Sequence, residues 1–99
     1  MKNIFVYGIL TRRHRAEDFG IKDEYYHGEG ILYGYRRCSL VEIYESKDSD
    51  YVIGDIFEVP DEIEEKLYNF ESQFGYKRQI TKPIRDGDGK EFECISYIL

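Results

Sequence analysis

Ninety-nine residues, 41% hydrophobic and 16% aromatic, suffice for one small core and not for two, so a single domain over residues 1–99 is expected. A formal net charge of −6 at pH 7 argues against a sequence-independent grip on nucleic acid, which needs clustered cations to displace phosphate counterions. No apolar run approaches a membrane span, and residues 1–10 lack the long apolar core and small-residue cleavage site of a signal peptide, so a cytosolic protein is expected.

Asn3-Ile4-Phe5-Val6-Tyr7 is a run of β-branched and aromatic residues that stops at Gly8, the pattern of a buried first strand entering a tight loop. In Tyr7-Gly8-Ile9-Leu10, followed by Thr11, glycine allows close approach, and successive N–H groups could face a ligand carboxylate. An ordinary strand end is the plainer alternative. Arg12-Arg13-His14-Arg15 is a short basic cluster met at once by Glu17 and Asp18, and it reads as a solvated face, with an anion contact the lesser option. A short helix is expected around residues 13–19, stopped by Gly20.

Residues 25–35 read as one long strand, with Gly28 and Gly30 where it bends or where another backbone approaches. Gly28-x-Gly30 is not a dinucleotide fingerprint, because the third glycine is misplaced and no helix pattern follows. Strands are expected at residues 40–44 and 51–59, with residues 45–50 as a hairpin connection between them. Pro60 then starts a helix whose early acids, Asp61, Glu62, Glu64 and Glu65, suit the positive end of the helix dipole. Ile63, Leu67 and Phe70 form its apolar face, and Asp61, Glu62, Glu64, Glu65 and Lys66 its wet side.

The helix end carries the chemistry. Glu71 stands one turn after Leu67 and so flanks the buried stripe, shortly before Gly75 breaks the pattern and Tyr76-Lys77-Arg78-Gln79-Ile80-Thr81 alternates as a strand. A carboxylate so placed can be desolvated, its pKa raised, and made a usable base. Position alone favours a plainer alternative, a solvated helix-end acid or a partner of Arg78. Strands near residues 76–84 and 91–98 follow, joined by Asp86-Gly87-Asp88-Gly89. That tetrapeptide lacks the later ligands of a calcium loop, so it reads as a hairpin turn. Cys38 and Cys94 have no metal-ligand spacing, and a zinc site would have to recruit His14 or His27 from unrelated positions. Buried, reduced thiols are expected instead.

The order of elements is that of an α+β domain with a mixed or mostly antiparallel sheet. Three stretches in that order, Val6-Tyr7-Gly8-Ile9-Leu10, Gly54-Asp55-Ile56-Phe57-Glu58-Val59, and residues 67–78, resemble the γ-glutamylcyclotransferase (AIG2-like) family. The resemblance covers most of the chain. It implies a small mixed, barrel-like β-sheet with flanking helices and a pocket at one end. It also implies that a γ-glutamyl amine or amino acid is cyclised to 5-oxoproline, releasing the amine. Glu71 matches the family's proton-carrying glutamate. The resemblance further implies that the turn of Tyr7, Gly8, Ile9 and Leu10 holds the substrate carboxylate, that Tyr76 forms a pocket wall, and that no metal or organic cofactor takes part. The implied partner is a small γ-glutamyl compound, with no nucleic acid and no membrane. Ile9 stands where serine or threonine is common in the family, Tyr68 where aspartate is frequent, and Ser72 where glycine is frequent. No proline-containing segment precedes the third strand around residues 39–45. Phe70-Glu71-Ser72 resembles the branch that acts on γ-glutamylamines. The alternative class is a binding module that keeps the pocket without turnover.

Overall fold

A computed structural model describes residues 1–8, 11 and 16–99. The chain is laid around β1 (Lys2–Val6), which pairs antiparallel with β5 (Tyr51–Val59), Ile4 opposite Phe57, and parallel with β8 (Cys94–Ile98), Ile4 opposite Ile95. Successive strand side chains leave on opposite faces. Ile4 and Val6 therefore join Phe57, Val59, Leu67 and Tyr97 in one cluster, while Phe5 and Tyr7 join Leu32, Val52, Ile56 and Ile98 in another. Both faces of β1 are covered, which is why its apolar run is continuous instead of alternating.

Three further strands complete the larger sheet. β2 (Tyr26–Tyr33), β6 (Lys77–Thr81) and β7 (Ile84–Arg85) extend a six-stranded mixed sheet of order β6-β8-β1-β5-β2-β7. β6 and β7 lie at its opposite edges, yet only Lys82 and Pro83 separate them in sequence. Three peptide steps span at most about 11 Å, so the sheet must curl until its edges approach at that corner. It is barrel-like, although no pairing closes β6 onto β7 among the described residues. The helix α1 (Asp61–Ser72) covers the Leu67 side, and Ile43, carried by a hairpin, packs on the other. This is the α+β architecture expected from the order of elements. Among the described residues no helix is long and apolar enough to cross a membrane.

The hairpin differs from expectation. The strand expected over residues 25–35 ends at Tyr33, because Gly34 turns the chain, its N–H donating to Asp50 O (2.9 Å) and its carbonyl accepting from Ser46 N (2.8 Å). β3 (Tyr35–Ser39) follows and pairs with β4 (Glu42–Glu45), which begins after Leu40 and Val41. Residues 45–50 are therefore not a hairpin connection between β4 and β5. They lead from the small sheet back to β5, which pairs with β2 and β1. Around residues 13–19, Ala16–Phe19 form a 3-10 turn, while 12–15 lie outside the described residues. The expected strand at 76–84 is interrupted at Lys82 and Pro83, and the Asp86–Gly89 stretch does form a turn, closed by an antiparallel bridge between Ile84 and Glu91. Arg85 clamps that turn through Asp88 (2.6 Å), and this bond holds the Asp88 carboxyl down at about 2.

In α1 the Pro60 carbonyl accepts the first N–H groups, from Ile63 (3.0 Å) and Glu64 (3.2 Å). Leu67 is wholly buried, with Ile63 and Phe70 half-buried beside it, as the apolar spacing requires. Glu64 is the correction. It is 0% exposed, not on the wet side. Its carboxylate accepts from Arg78 Nε (3.1 Å), Arg78 Nη2 (2.8 Å) and Tyr97 Oη (2.7 Å), and Lys2 Nζ stands 3.6 Å away. Charge compensation of this density is what permits a carboxylate in a core.

Candidate functional site

The C-terminus of α1 places Glu71 and Tyr76. Gly75 adopts φ +87°, a backbone conformation open chiefly to glycine, and Gly75 N donates to Ser72 O (3.1 Å) while Tyr76 N donates to Glu71 O (3.3 Å). These two bonds form a Schellman-type stop. They also join Glu71 and Tyr76 directly through the backbone, so the two side chains leave the helix end in a fixed relation.

That corner meets the end of β1 at a cavity of about 380 Å³. Tyr7 and Gly8 line it from the strand, Glu71 and Tyr76 from the helix end, and Phe70 and Phe74 beside them. The structure thus brings four of the six candidate residues to one concavity. Ile9 and Leu10 lie outside the described residues. Gly8 is needed for close approach, because a Cβ there would sit 2.8 Å from the Leu40 carbonyl oxygen. Its own carbonyl accepts from Thr11 N (3.2 Å) and Thr11 Oγ1 (2.8 Å), which turns the chain away from the strand.

Burial raises the Glu71 carboxyl above the ordinary glutamate range. The possible partner named from sequence does not reach it: Arg78 is taken by Glu64, and its Nη2 also donates to Glu65 (2.8 Å). Among the described residues no hydrogen bond or ion pair engages the Glu71 carboxylate. Glu71 is half-buried in a cavity wall, so it is not a fully solvated acid either.

Both tyrosines are held in place. Tyr7 Oη donates to the Tyr97 carbonyl (2.6 Å), and its pKa is pushed up by burial, then by the neighbouring Tyr76 and Glu71. Tyr76 Oη donates to the Val41 carbonyl (2.6 Å), and its pKa is also raised, first by burial and then by Glu71. These hydroxyls are therefore protonated at neutral pH, able to orient and donate. Val41 belongs to the β3–β4 tip, so the tip that packs on Gly8 also binds Tyr76. Phe5, Val41, Phe74, Tyr97 and Leu99 all line the cavity, and sequence reasoning missed them. Only Phe74, four residues from Phe70, carried a local signal.

A second, more polar cavity of about 620 Å³ shares Tyr7 and Gly8. It is larger, but its carboxylate Glu29 is exposed to solvent, and Asp55 and Arg37 are already engaged. Tyr26 Oη donates to Asp55 (3.3 Å), and Arg37 donates to the carbonyls of Leu40 (2.9 Å) and Ile53 (3.3 Å). The smaller cavity, with its half-buried and unengaged Glu71, is the better chemical site. Among the described residues no group of three His, Cys, Asp or Glu side chains is placed to hold a metal ion. Cys94 is buried, and burial pushes its thiol up to about 12. Cys38 corrects the expectation of two buried thiols, for it is exposed on β3, an outer hairpin strand.

Comparison with known proteins adds a family and a fold. The family model described as "Gamma-glutamyl cyclotransferase, AIG2-like" matches residues 4–99. Among solved structures, an AIG2-like protein from Mus musculus is 21% identical with a TM-score of 0.78, covering 100% of this chain and 77% of that one. A structure described as a gamma-glutamyl cyclotransferase is 18% identical with a TM-score of 0.76, covering 99% of this chain and 66% of that one. An uncharacterized protein from Pyrococcus horikoshii is 20% identical with a TM-score of 0.76, covering 99% and 77%. Identities this low speak for the shared fold. No curated protein matches the chain by sequence.

Proposed function

This chain belongs to the gamma-glutamyl cyclotransferase, AIG2-like family, and from that premise we propose that it cyclises a γ-glutamyl amine or amino acid to 5-oxoproline, with Glu71 as the general acid and base. The observation that carries this reading is the Glu71 carboxylate, raised by burial and unengaged by any described residue, on the wall of the cavity it shares with Gly8.

The steps follow from the charges. An α-amine has a pKa of about 8 and is mostly ammonium at neutral pH. A carboxylate whose pKa burial has raised is a better acceptor for that proton than a solvated one. Once neutral, the amine nitrogen attacks the γ-carbonyl carbon. The new C–N bond closes the five-membered ring, and the carbonyl electron pair moves onto oxygen. On collapse the bond to the leaving nitrogen breaks as Glu71 gives that nitrogen the first proton; the carboxylate then takes the second proton from the ring nitrogen, leaving a neutral lactam, and passes it to the released amine, which departs as an ammonium. No electron is gained or lost overall, so the scheme calls for no redox partner.

The turn of Tyr7, Gly8, Ile9 and Leu10 would hold the α-carboxylate on backbone N–H groups, which fixes amine against carbonyl in a reactive conformer. Tyr76 serves as a wall whose hydroxyl is committed to Val41. The test is to incubate the protein with γ-glutamyl amides and γ-glutamyl amino acids and to measure 5-oxoproline by mass spectrometry. Release of 5-oxoproline that is lost in Glu71→Gln supports the reading. Binding of these compounds without release by the parent protein would instead favour a non-catalytic binding module.

A further inference from the structure

We infer, resting on the reaction proposed above, that Arg37 is a positioning residue for it: the guanidinium locks the β3–β4 tip against the corner where β1 ends, and the locked tip fixes the Tyr7–Gly8 turn relative to Tyr76 and Glu71.

The hairpin depends on side chains for its place. β3 and β4 form a two-stranded sheet of their own, separate from the six-stranded one. Its base is held by the backbone bonds of Gly34 and by Gln79 Nε2 donating to Tyr35 Oη (2.6 Å). Its middle is held by Ile43, buried in the core with Tyr35 packed against the same cluster. Arg37 stands opposite Ile43 in the ladder and two residues after Tyr35, so all three side chains leave on the face turned to the large sheet. Leu40 and Val41, at the tip, are exposed and cannot be seated by burial alone.

Arg37 seats them. Nη1 donates to the Leu40 carbonyl in the tip (2.9 Å), Nη2 donates to the Ile53 carbonyl on β5 (3.3 Å), and the guanidinium carbon lies 5.8 Å from the Tyr7 ring centroid. The last pairing of β1 with β5 is Val6 opposite Asp55, so Ile53 lies just past it, where Tyr7 and Gly8 leave the sheet. The Leu40 carbonyl oxygen that receives Arg37 is also the atom a Cβ on Gly8 would strike. One residue on, the Val41 carbonyl receives Tyr76 Oη (2.6 Å), while Val41 N donates to Ser39 Oγ (3.3 Å) within the tip. Two adjacent carbonyls thus meet opposite sides of the cavity, Gly8 on one and the Glu71–Tyr76 corner on the other. A planar fork of N–H groups holds two carbonyls in set directions, which an ammonium on a flexible stem does not.

Without the fork the tip is seated in only part of the free protein. If that part falls to about a tenth, apparent affinity falls about tenfold, while the bound complex, its tip seated, reacts as before.

The experiment uses γ-glutamyl-methylamide, which carries the γ-glutamyl group on the smallest primary amine. Arg37 is exposed, so Arg37→Met and Arg37→Lys should fold as the parent does, which thermal unfolding checks. Each should raise KM about tenfold and leave kcat within about threefold. Parent-like KM in Arg37→Lys would show that charge alone suffices and would overturn the inference, as would a fall in kcat at unchanged KM. Adding Tyr76→Phe to Arg37→Met should raise KM by less than the product of the two single rises, because a tip already released has less to lose. A rise equal to or above that product overturns the shared tip. Without ligand, amides of residues 38–42 should exchange hydrogen faster in both single variants while β5 exchanges as in the parent, and unchanged exchange at the tip contradicts the lock. If the parent releases no 5-oxoproline, the proposed reaction fails, and calorimetric Kd for the same compound decides the inference. Binding about tenfold weaker in Arg37→Met preserves the positioning role; an unchanged Kd, or no binding by the parent, overturns it.

Discussion

Glu64 and Glu71 stand two turns apart on the same face of α1, and they have opposite surroundings. Glu64 is fully buried and receives Arg78, Tyr97 and Lys2. Glu71 is half-buried, raised by burial, and engaged by no described residue. One carboxylate has its charge neutralised and its lone pairs filled, which suits it to hold strands and helix together. The other keeps its lone pairs unfilled by any described residue, on the wall of a cavity. The difference arises beyond the helix. β6 supplies a guanidinium opposite the first turns, whereas opposite the last turn there is only the end of β1 and a hairpin tip.

If that contrast is right, the two residues fail differently when changed. The largest effect is expected at Glu71. Glu71→Gln should lower 5-oxoproline release by about two to four orders of magnitude while leaving ligand binding in place. Its stability should equal or exceed the parent's, because a carboxyl with a raised folded pKa binds its proton more tightly folded than unfolded. The sign follows from linkage: the parent's stability declines as pH rises from the unfolded carboxyl's pKa, about 4.3, through the raised folded value, and stays lower above it. Glu71→Gln should lack that decline, so the gap between the two proteins should widen across that window, as urea unfolding at several pH values would show. Full activity in Glu71→Gln would break the comparison.

Glu64→Gln should do the reverse. It weakens a network in which Arg78 and Tyr97 are already oriented, and since the Arg78 side chain is 35% exposed the loss is discounted to about 2–3 kcal/mol. Activity per folded molecule should stay within about threefold of the parent. Pairing it with Arg78→Met should cost less than the two single losses added, and simple additivity would show that the network is not coupled.

How much of this was legible in the sequence depends on distance along the chain. Glu71, Gly75 and Tyr76 could be read together because a helix stop is a local event, and Gly8 because glycine after a β-branched run marks a turn. Glu64 was misplaced because four acids at a helix start look like dipole compensation, while its partners lie fourteen residues on, in β6, and at Tyr97 in β8. The β3–β4 tip was invisible for the same reason: Tyr35–Ser39 has no alternating apolar pattern, and its Val41 joins the cavity only through Tyr76 and Gly8. The barrel-like curl was implied by family resemblance. Its physical mark is Lys82-Pro83 joining opposite sheet edges, which needs the strand order to be seen.

Smaller changes sharpen the boundary between the two regions. Tyr76→Phe removes the bond to the Val41 carbonyl and should cost about 1 kcal/mol. It should also raise KM more than it lowers kcat, since the hairpin tip loosens over Gly8. A proportionate fall in kcat would make Tyr76 a chemical participant instead of a wall. The cysteines should matter least. Cys94→Ser places a hydroxyl in the core and should cost about 1–2 kcal/mol, whereas exposed Cys38→Ser should be near neutral. Both should retain activity, as 5-oxoproline release from the folded variants would show.

The most direct test of the account is to titrate the Glu71 carboxyl itself, by carbon-detected NMR with labelled glutamate, assigned by its loss in Glu71→Gln. The account predicts a midpoint above the ordinary glutamate range and an acid limb of kcat/KM for 5-oxoproline release at the same pH. A midpoint at or below the ordinary value, or an activity profile indifferent to it, would contradict the claim that this unengaged carboxylate moves the proton.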